Sequence, residues 1–120
     1  MECLGKHILA ELYECTFDTL NDEKLIEQVM VDSALKAGAT IIQVGFHKFA
    51  PQGVSGVVII AESHLTIHTW PELNYAAVDV FTCGNKINPE EACNYICEGL
   101  RAKQKNITAI TRGEKVKEIV

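Results

Sequence analysis

The sequence predicts an α+β fold: a two-layer sandwich in which a mainly antiparallel sheet carries two helices on one face, in the order β-α-β-β-β-β-α-β. Three observations predict it. The length of 120 residues suits one domain spanning 1–120, and a hydrophobic fraction of 48% fills its core without a staple. Two segments, one ending near residue 37 and one starting near residue 88, carry apolar residues at helical spacing. Between them, residues 40–83 hold β-rich runs joined by short turns, the mark of hairpins and of an antiparallel sheet. A sheet covered on one face leaves the other open, and such a face often pairs with a second copy.

Each element has its own signal. Lys6–Tyr13, KHILAELY, is a short apolar run with a charged start and reads as a strand. Thr16–Asn21 is a polar break, after which Asn21 or Asp22 can cap a helix by accepting from a free N–H of its first turn. That helix runs to about Ala37. Leu25, Ile26, Val29, Met30 and Ser33 form its inner face; Glu23, Lys24, Glu27 and Lys36 face water. Gly38 stops it, because glycine takes the left-handed conformation at no steric cost. Thr40–Phe49 is a second strand, Ala50–Gly53 a turn, and Val54–Ala61 a buried strand paired with the one before it. Leu65–Trp70 is extended, since Thr66, Ile67 and Thr69 disfavour helix and Pro71 forbids its continuation. Ala76–Cys83 is the fifth strand. Asn88-Pro-Glu-Glu then supplies a cap, a proline in first position and acids at the positive end of the dipole, starting a helix to about Ala102. Its buried residues are Ala92, Tyr95, Ile96 and Leu100. Asn106–Thr111 makes a last strand, and the tail Arg112–Glu118 frays.

The totals narrow the function classes. A net charge of −5 argues against a nucleic-acid or anionic-membrane partner. No apolar run reaches membrane-spanning length. The charged start MECLGKHILAELYE is unlike a secretory signal. Five cysteines without such a signal point to free thiols in a reducing cytoplasm.

The chemistry concentrates in Ala61–Glu72, AESHLTIHTWPE. A serine at a strand end is ordinarily a turn residue. Ser63, however, follows a buried strand that holds its backbone, and it lies near His64, His68 and, further on, Cys83, all able to handle protons. The glycine-flanked elbow of acyl hydrolases is absent around it. His64 and His68 would suit zinc on a helix. On a strand their rings stand about 13 Å apart, too far to share one ion. His68 shares a strand face with Trp70, which fits a pocket wall as well as a core. Cys83 precedes Gly84. It is either a small buried hydrophobe or a proton donor, since a thiol with an unperturbed pKa of about 8.5 is mostly protonated at neutral pH. Cys93 and Cys97 lie one helical turn apart and pack; Cys3 and Cys15 flank the first strand without a metal-binding pattern.

With VSGVV before this stretch and AAVDVFTCG after it, the chain resembles the short prokaryotic S-adenosylmethionine decarboxylases. The likeness covers the whole domain and runs through Phe49, Ser55-Gly56, Glu62-Ser63-His64, His68-Thr69-Trp70-Pro71-Glu72 and Thr82-Cys83-Gly84. It implies a proenzyme that cuts itself between Glu62 and Ser63 into chains 1–62 and 63–120. Ser63 Oγ attacks the Glu62 carbonyl, the acyl group moves from nitrogen to oxygen, and loss of the Ser63 α-proton expels the carboxylate and leaves dehydroalanine. Hydrolysis then releases ammonia and leaves a pyruvoyl group. That ketone forms a Schiff base with the substrate amine and takes up the electrons left by CO₂, with no metal and no pyridoxal phosphate. The resemblance further implies Cys83 as the acid that reprotonates the product, His68 and Ser55 as the pair that assists processing, and Glu72 as acceptor for the ribose hydroxyls. Phe49 and Trp70 face the adenine or the sulfonium. It implies a homodimer of two-chain units, and a product that donates aminopropyl groups for spermidine synthesis.

Fully extended, Ser63 and His68 stand about 16 Å apart. They cooperate only if the chain bends sharply near Ser63, which would also strain the scissile bond, or if His68 serves the Ser63 of a second copy. Three rival functions are a pyruvoyl enzyme acting on arginine or another amino acid, a non-catalytic small-molecule-binding subunit, and a serine hydrolase.

Overall fold

The computed structural model describes residues 4–61 and 63–116. In chain order these form β1 (Gly5–Tyr13), α1 (Phe17–Leu20), α2 (Glu23–Lys36), β2 (Ile41–Lys48), β3 (Val54–Ile60), β4 (Ser63–Trp70), β5 (Tyr75–Cys83), α3 (Pro89–Gly99) and β6 (Gln104–Arg112). The strands make one sheet in the order β2-β3-β4-β5-β1-β6, antiparallel at every step. The α+β two-layer reading holds. α2 packs on β2 and β3, α3 on β1 and β5, and the two helices touch each other.

Strand alternation builds the core. Ile8, Ala10 and Leu12 of β1, Leu65 and Ile67 of β4, and Ala76, Val78 and Val80 of β5 point inward and are almost fully buried. Ile26 and Met30 of α2, Ile96 of α3 and Leu100 at its C-cap close over them. Each large side chain buried this way contributes about 1.5–3 kcal/mol before entropy is counted. Gly56 matters locally, because a Cβ there would lie 2.0 Å from the Phe46 ring, which fills that space from the neighbouring strand.

The caps follow the sequence closely. Asp22 accepts from Leu25 N–H at 3.1 Å and Asn88 from Glu91 N–H at 3.0 Å. Gly38, at φ +91°, ends α2; its N–H donates to Leu35 O and that of Ala39 to Ala34 O, the paired bonds of a Schellman stop.

Several expectations change. The break at 16–21 contains α1, capped by Thr16, because Leu20 has an apolar slot and is fully buried. Leu25 is 36% exposed: it sits one residue off the stripe made by Ile26, Val29, Met30 and Ser33. Tyr95 is only partly buried. β2 is a half-exposed edge, and β6 lies beyond the helical layer with every residue exposed. β6 starts at Gln104 and ends at Arg112, longer than its apolar signal, because β1 pairs with it from Gly5 to Tyr13. The fraying tail lies partly outside the described residues, as does Cys3.

Candidate active site

β4 carries the site, and its alternation divides it. Ser63, Leu65, Ile67 and Thr69 point toward the helices; His64, Thr66, His68 and Trp70 point to the open face. The strand begins at Ser63 itself, two residues earlier than its β-branched run announces, and Ser63 pairs with Ile60 at the end of β3. It runs on to Trp70 in unbroken register with β5 from His64 onward. There is no bend after Ser63. Ser63 and His68 are five residues apart on one straight strand, an odd separation, and so lie on opposite faces.

The site residues therefore gather in two places. At one end of the sheet, Ser63 is nearly buried and its Oγ accepts from the Cys83 N–H at 2.9 Å. Cys83 closes β5 there, before Gly84 turns the chain at φ +75°. A cavity of about 440 Å³ opens at this rim, lined by Ala61, Cys83, Lys86 and Ile87 among others. Glu62, and with it the expected strain in the scissile peptide, lies outside the described residues.

The other end holds Phe49, Ser55, His68, Trp70 and Glu72, which line one cavity of about 270 Å³. Ser55 stands directly across from His68, and its Oγ is 2.8 Å from Nδ1. A second set of bonds, unseen in the sequence, fixes the floor. The Thr69 hydroxyl donates to Leu20 O and accepts from Val54 N–H, both at 2.8 Å. Gly53 N–H donates to Asn21 Oδ1 at 3.0 Å, and Phe49 N–H to Gly53 O at 2.8 Å. The turn bearing Phe49 is thus tied to α1. After Trp70, a short 3-10 turn, Pro71–Leu73, and the left-handed Asn74 (φ 55°) bring Glu72 to the rim. The signal for Thr69 was available: it is a hydroxyl in the inward register of Leu65 and Ile67.

Between the two places the open face is polar and aromatic. Asp79 accepts from the Thr66 hydroxyl at 3.1 Å and pairs with His7 at 3.2 Å. The Tyr75 hydroxyl donates to Glu11. Burial first, then that hydrogen bond and the Glu11 charge, push the Tyr75 phenol up to about 12. His64 packs on Phe81, with ring centroids 5.5 Å apart, and takes no part in either cluster. Cys93 and Cys97 are buried in α3, as their spacing predicts. Their hydrogen bond lowers the Cys97 thiol to about 7 and raises that of Cys93.

This pattern of residues has a known counterpart. The family profile described as S-adenosylmethionine decarboxylase matches residues 6–113. The chain belongs to the S-adenosylmethionine decarboxylase family. Among its relatives, the S-adenosylmethionine decarboxylase proenzyme of Clostridium kluyveri is 64% identical over 99% of this chain and 96% of that one. The proenzyme of Clostridium tetani is 66% identical over 94% and 90%. In three dimensions the chain is similar to the crystal structure of the adenosylmethionine decarboxylase from Aquifex aeolicus, with a TM-score of 0.88 and 36% identity over 94% of this chain and 93% of that one. A Trypanosoma brucei AdoMetDC shares the fold, with a TM-score of 0.66 at 14% identity, and this chain covers 45% of it. Family membership fits the fold; within one copy the Ser63–Cys83 end and the Ser55–His68 end of the sheet do not meet.

Proposed function

We propose that the chain is a self-processing proenzyme that cuts itself between Glu62 and Ser63 and then decarboxylates S-adenosylmethionine. The observation that carries this is the seating of Ser63. Its hydroxyl is buried at a rim and fixed by the Cys83 backbone N–H, at the end of the sheet where a cavity lined in part by Ala61 and Cys83 opens. Those features suit a residue whose own backbone becomes the reactive group. Its place at the first position of β4 leaves residues after it locked in the sheet while the bond before it is cut. The pyruvoyl group so formed supplies the ketone that binds the substrate amine and holds the electrons released with CO₂.

The chain's own groups do the rest. The Cys83 N–H holds the attacking Oγ in place. Cys83 delivers a proton to the product carbon. Ser55 and His68 act as one unit, the hydroxyl and Nδ1 sharing a hydrogen bond that sets the ring's orientation, so Nε2 is left to move protons. Glu72 accepts from the ribose hydroxyls, and Phe49 and Trp70 offer flat faces to the adenine or the sulfonium.

A second copy completes the site. Proton transfer needs donor and acceptor within about 3 Å, or one water between them. Ser63 and His68 of one chain are about 16 Å apart along β4 and face opposite ways. In this reading two open faces stack about a two-fold axis, and the Ser63–Cys83 end of one copy meets the Ser55–His68 end of the other, giving two equal sites. The shallow depression over Gly45, Val57, Thr66 and His68 is the landing place on that face. The enzyme works in the reducing cytoplasm, and its product serves aminopropyl transfer to spermidine. The same separation argues against a serine hydrolase built from Ser63 and His68.

The test is a denaturing mass measurement with a CO₂-release assay. Fragments of residues 1–62 and 63–120 are expected, the second blocked at its N-terminus, with turnover of S-adenosylmethionine and none of arginine. A single intact chain that still turns over the substrate sinks the proposal.

A further inference from the structure

Trp70 is the only tryptophan in the chain, and it stands 39% exposed in the wall of the Ser55–His68–Glu72 cavity. A half-exposed indole has two free side-chain torsions, so something must hold its plane if the wall is to have a fixed shape. The observed support is Tyr75, directly across the strand pair, whose ring stacks on Trp70 at 5.3 Å and 29°. Tyr75 in turn stacks on Tyr13 of β1 at 5.6 Å and 25°. Its hydroxyl donates to Glu11, also on β1. This ladder crosses three strands on the open face, away from the apolar core. Within one copy its outer members are exposed, so burial inside the chain does not explain it.

We propose that Tyr75, anchored by Glu11, is a positioning residue: it fixes the plane of Trp70 and thereby sets how tightly the cavity grips the flat or cationic part of its ligand. This rests on the reading above that the cavity takes the substrate. An offset-stacked pair contributes about 0.5–1.5 kcal/mol beyond burial, which corresponds to an affinity change of roughly 2- to 10-fold. The effect belongs to binding, because Tyr75 touches none of the groups assigned to chemistry. It therefore moves KM and spares kcat.

The test uses Tyr75→Leu, Tyr75→Phe and Glu11→Gln in the mature, processed protein. All three are expected to self-cleave fully and to keep kcat within about twofold. Tyr75→Leu is expected to raise KM about fivefold, and Tyr75→Phe, which keeps the stack and loses the anchor, about twofold. The tryptophan emission gives a second readout that needs no turnover: Tyr75→Leu should lower its anisotropy and increase its quenching by acrylamide, with Tyr75→Phe close to wild type. Unchanged emission and quenching in Tyr75→Leu overturn the proposal, as does a fall in kcat at constant KM. So does dissociation of the variant into single copies, which would make the ladder an assembly contact. If the wild-type protein never turned over substrate, the proposed function would fall while the emission arm still judged Tyr75.

Discussion

Mixing two dead variants is expected to restore a living site. Ser63→Ala removes the attacking hydroxyl, and His68→Ala removes the proton-handling ring. If each site takes Ser63 from one copy and His68 from the other, a mixed dimer has one site with both groups lost and one with both intact. Random pairing of equal amounts makes half the dimers mixed, so about one quarter of wild-type sites return. The same count holds for processing: about a quarter of all chains should be cut, all of them carrying His68→Ala. The structural basis is the unbroken register of β4, which holds the two side chains about 16 Å apart on opposite faces. Proton transfer spans about 3 Å or one intervening water, so a single copy cannot close the gap by rotamer changes. The assay is co-expression with distinct tags, isolation of the doubly tagged species, fragment masses and CO₂ release. Activity at the background of the single variants, in material proven to contain both tags, refutes the shared site.

Three further outcomes are expected. Thr69→Val leaves the Leu20 carbonyl and the Val54 N–H without their partner, so urea unfolding should show a loss of about 1–3 kcal/mol, and the loosened Phe49 turn should raise KM. Gly56→Ala drives a methyl into the Phe46 ring, 2.0 Å away, and should cost about 1–3 kcal/mol by the same measurement, recovered in part by Phe46→Leu. Tyr75 should ionise near 12 in an ultraviolet pH titration. In the fold its phenol keeps its proton while the unfolded chain's phenol ionises near 10. This group's contribution is therefore complete below about pH 10 and is lost as the pH rises toward 12. Glu11→Gln should bring that transition earlier.

Much of the fold was legible because its signals are local. Asp22, Gly38 and Asn88-Pro89 mark helix ends through bonds made within a few residues, and β-branched runs mark strands. What escaped was set by distant partners. Leu20 looks like part of a polar break until the slot between α1 and the sheet is known. The exposure of Leu25 depends on how α2 is rotated on β2 and β3. The site divides the same way. Phe49, Ser55, Ser63, His68, Trp70, Glu72 and Cys83 fall in two clusters, His64 in neither, and the odd spacing from Ser63 to His68 already places them on opposite faces once β4 is known to start at Ser63. Its apolar signal starts at Leu65, so that inference was hidden. The Glu11–Tyr75–Trp70 ladder was out of reach altogether, since no local pattern says that β1 lies beside β5.

That strand order has a consequence for the proposed cut between Glu62 and Ser63. Residues 1–62 supply β1, β2 and β3, whereas 63–120 supply β4, β5 and β6, so across the sheet ownership changes hands three times. The β3–β4, β5–β1 and β1–β6 seams each join one fragment to the other. Neither piece can leave without unzipping the middle of the sheet. On the proposed cut, maturation would be a one-way passage: the precursor would fold as one molecule, but once severed and denatured its halves would have to find each other again. A form cut there would persist by the slowness of its unfolding, and its recovery after denaturation should depend on concentration where that of the uncut Ser63→Ala chain does not.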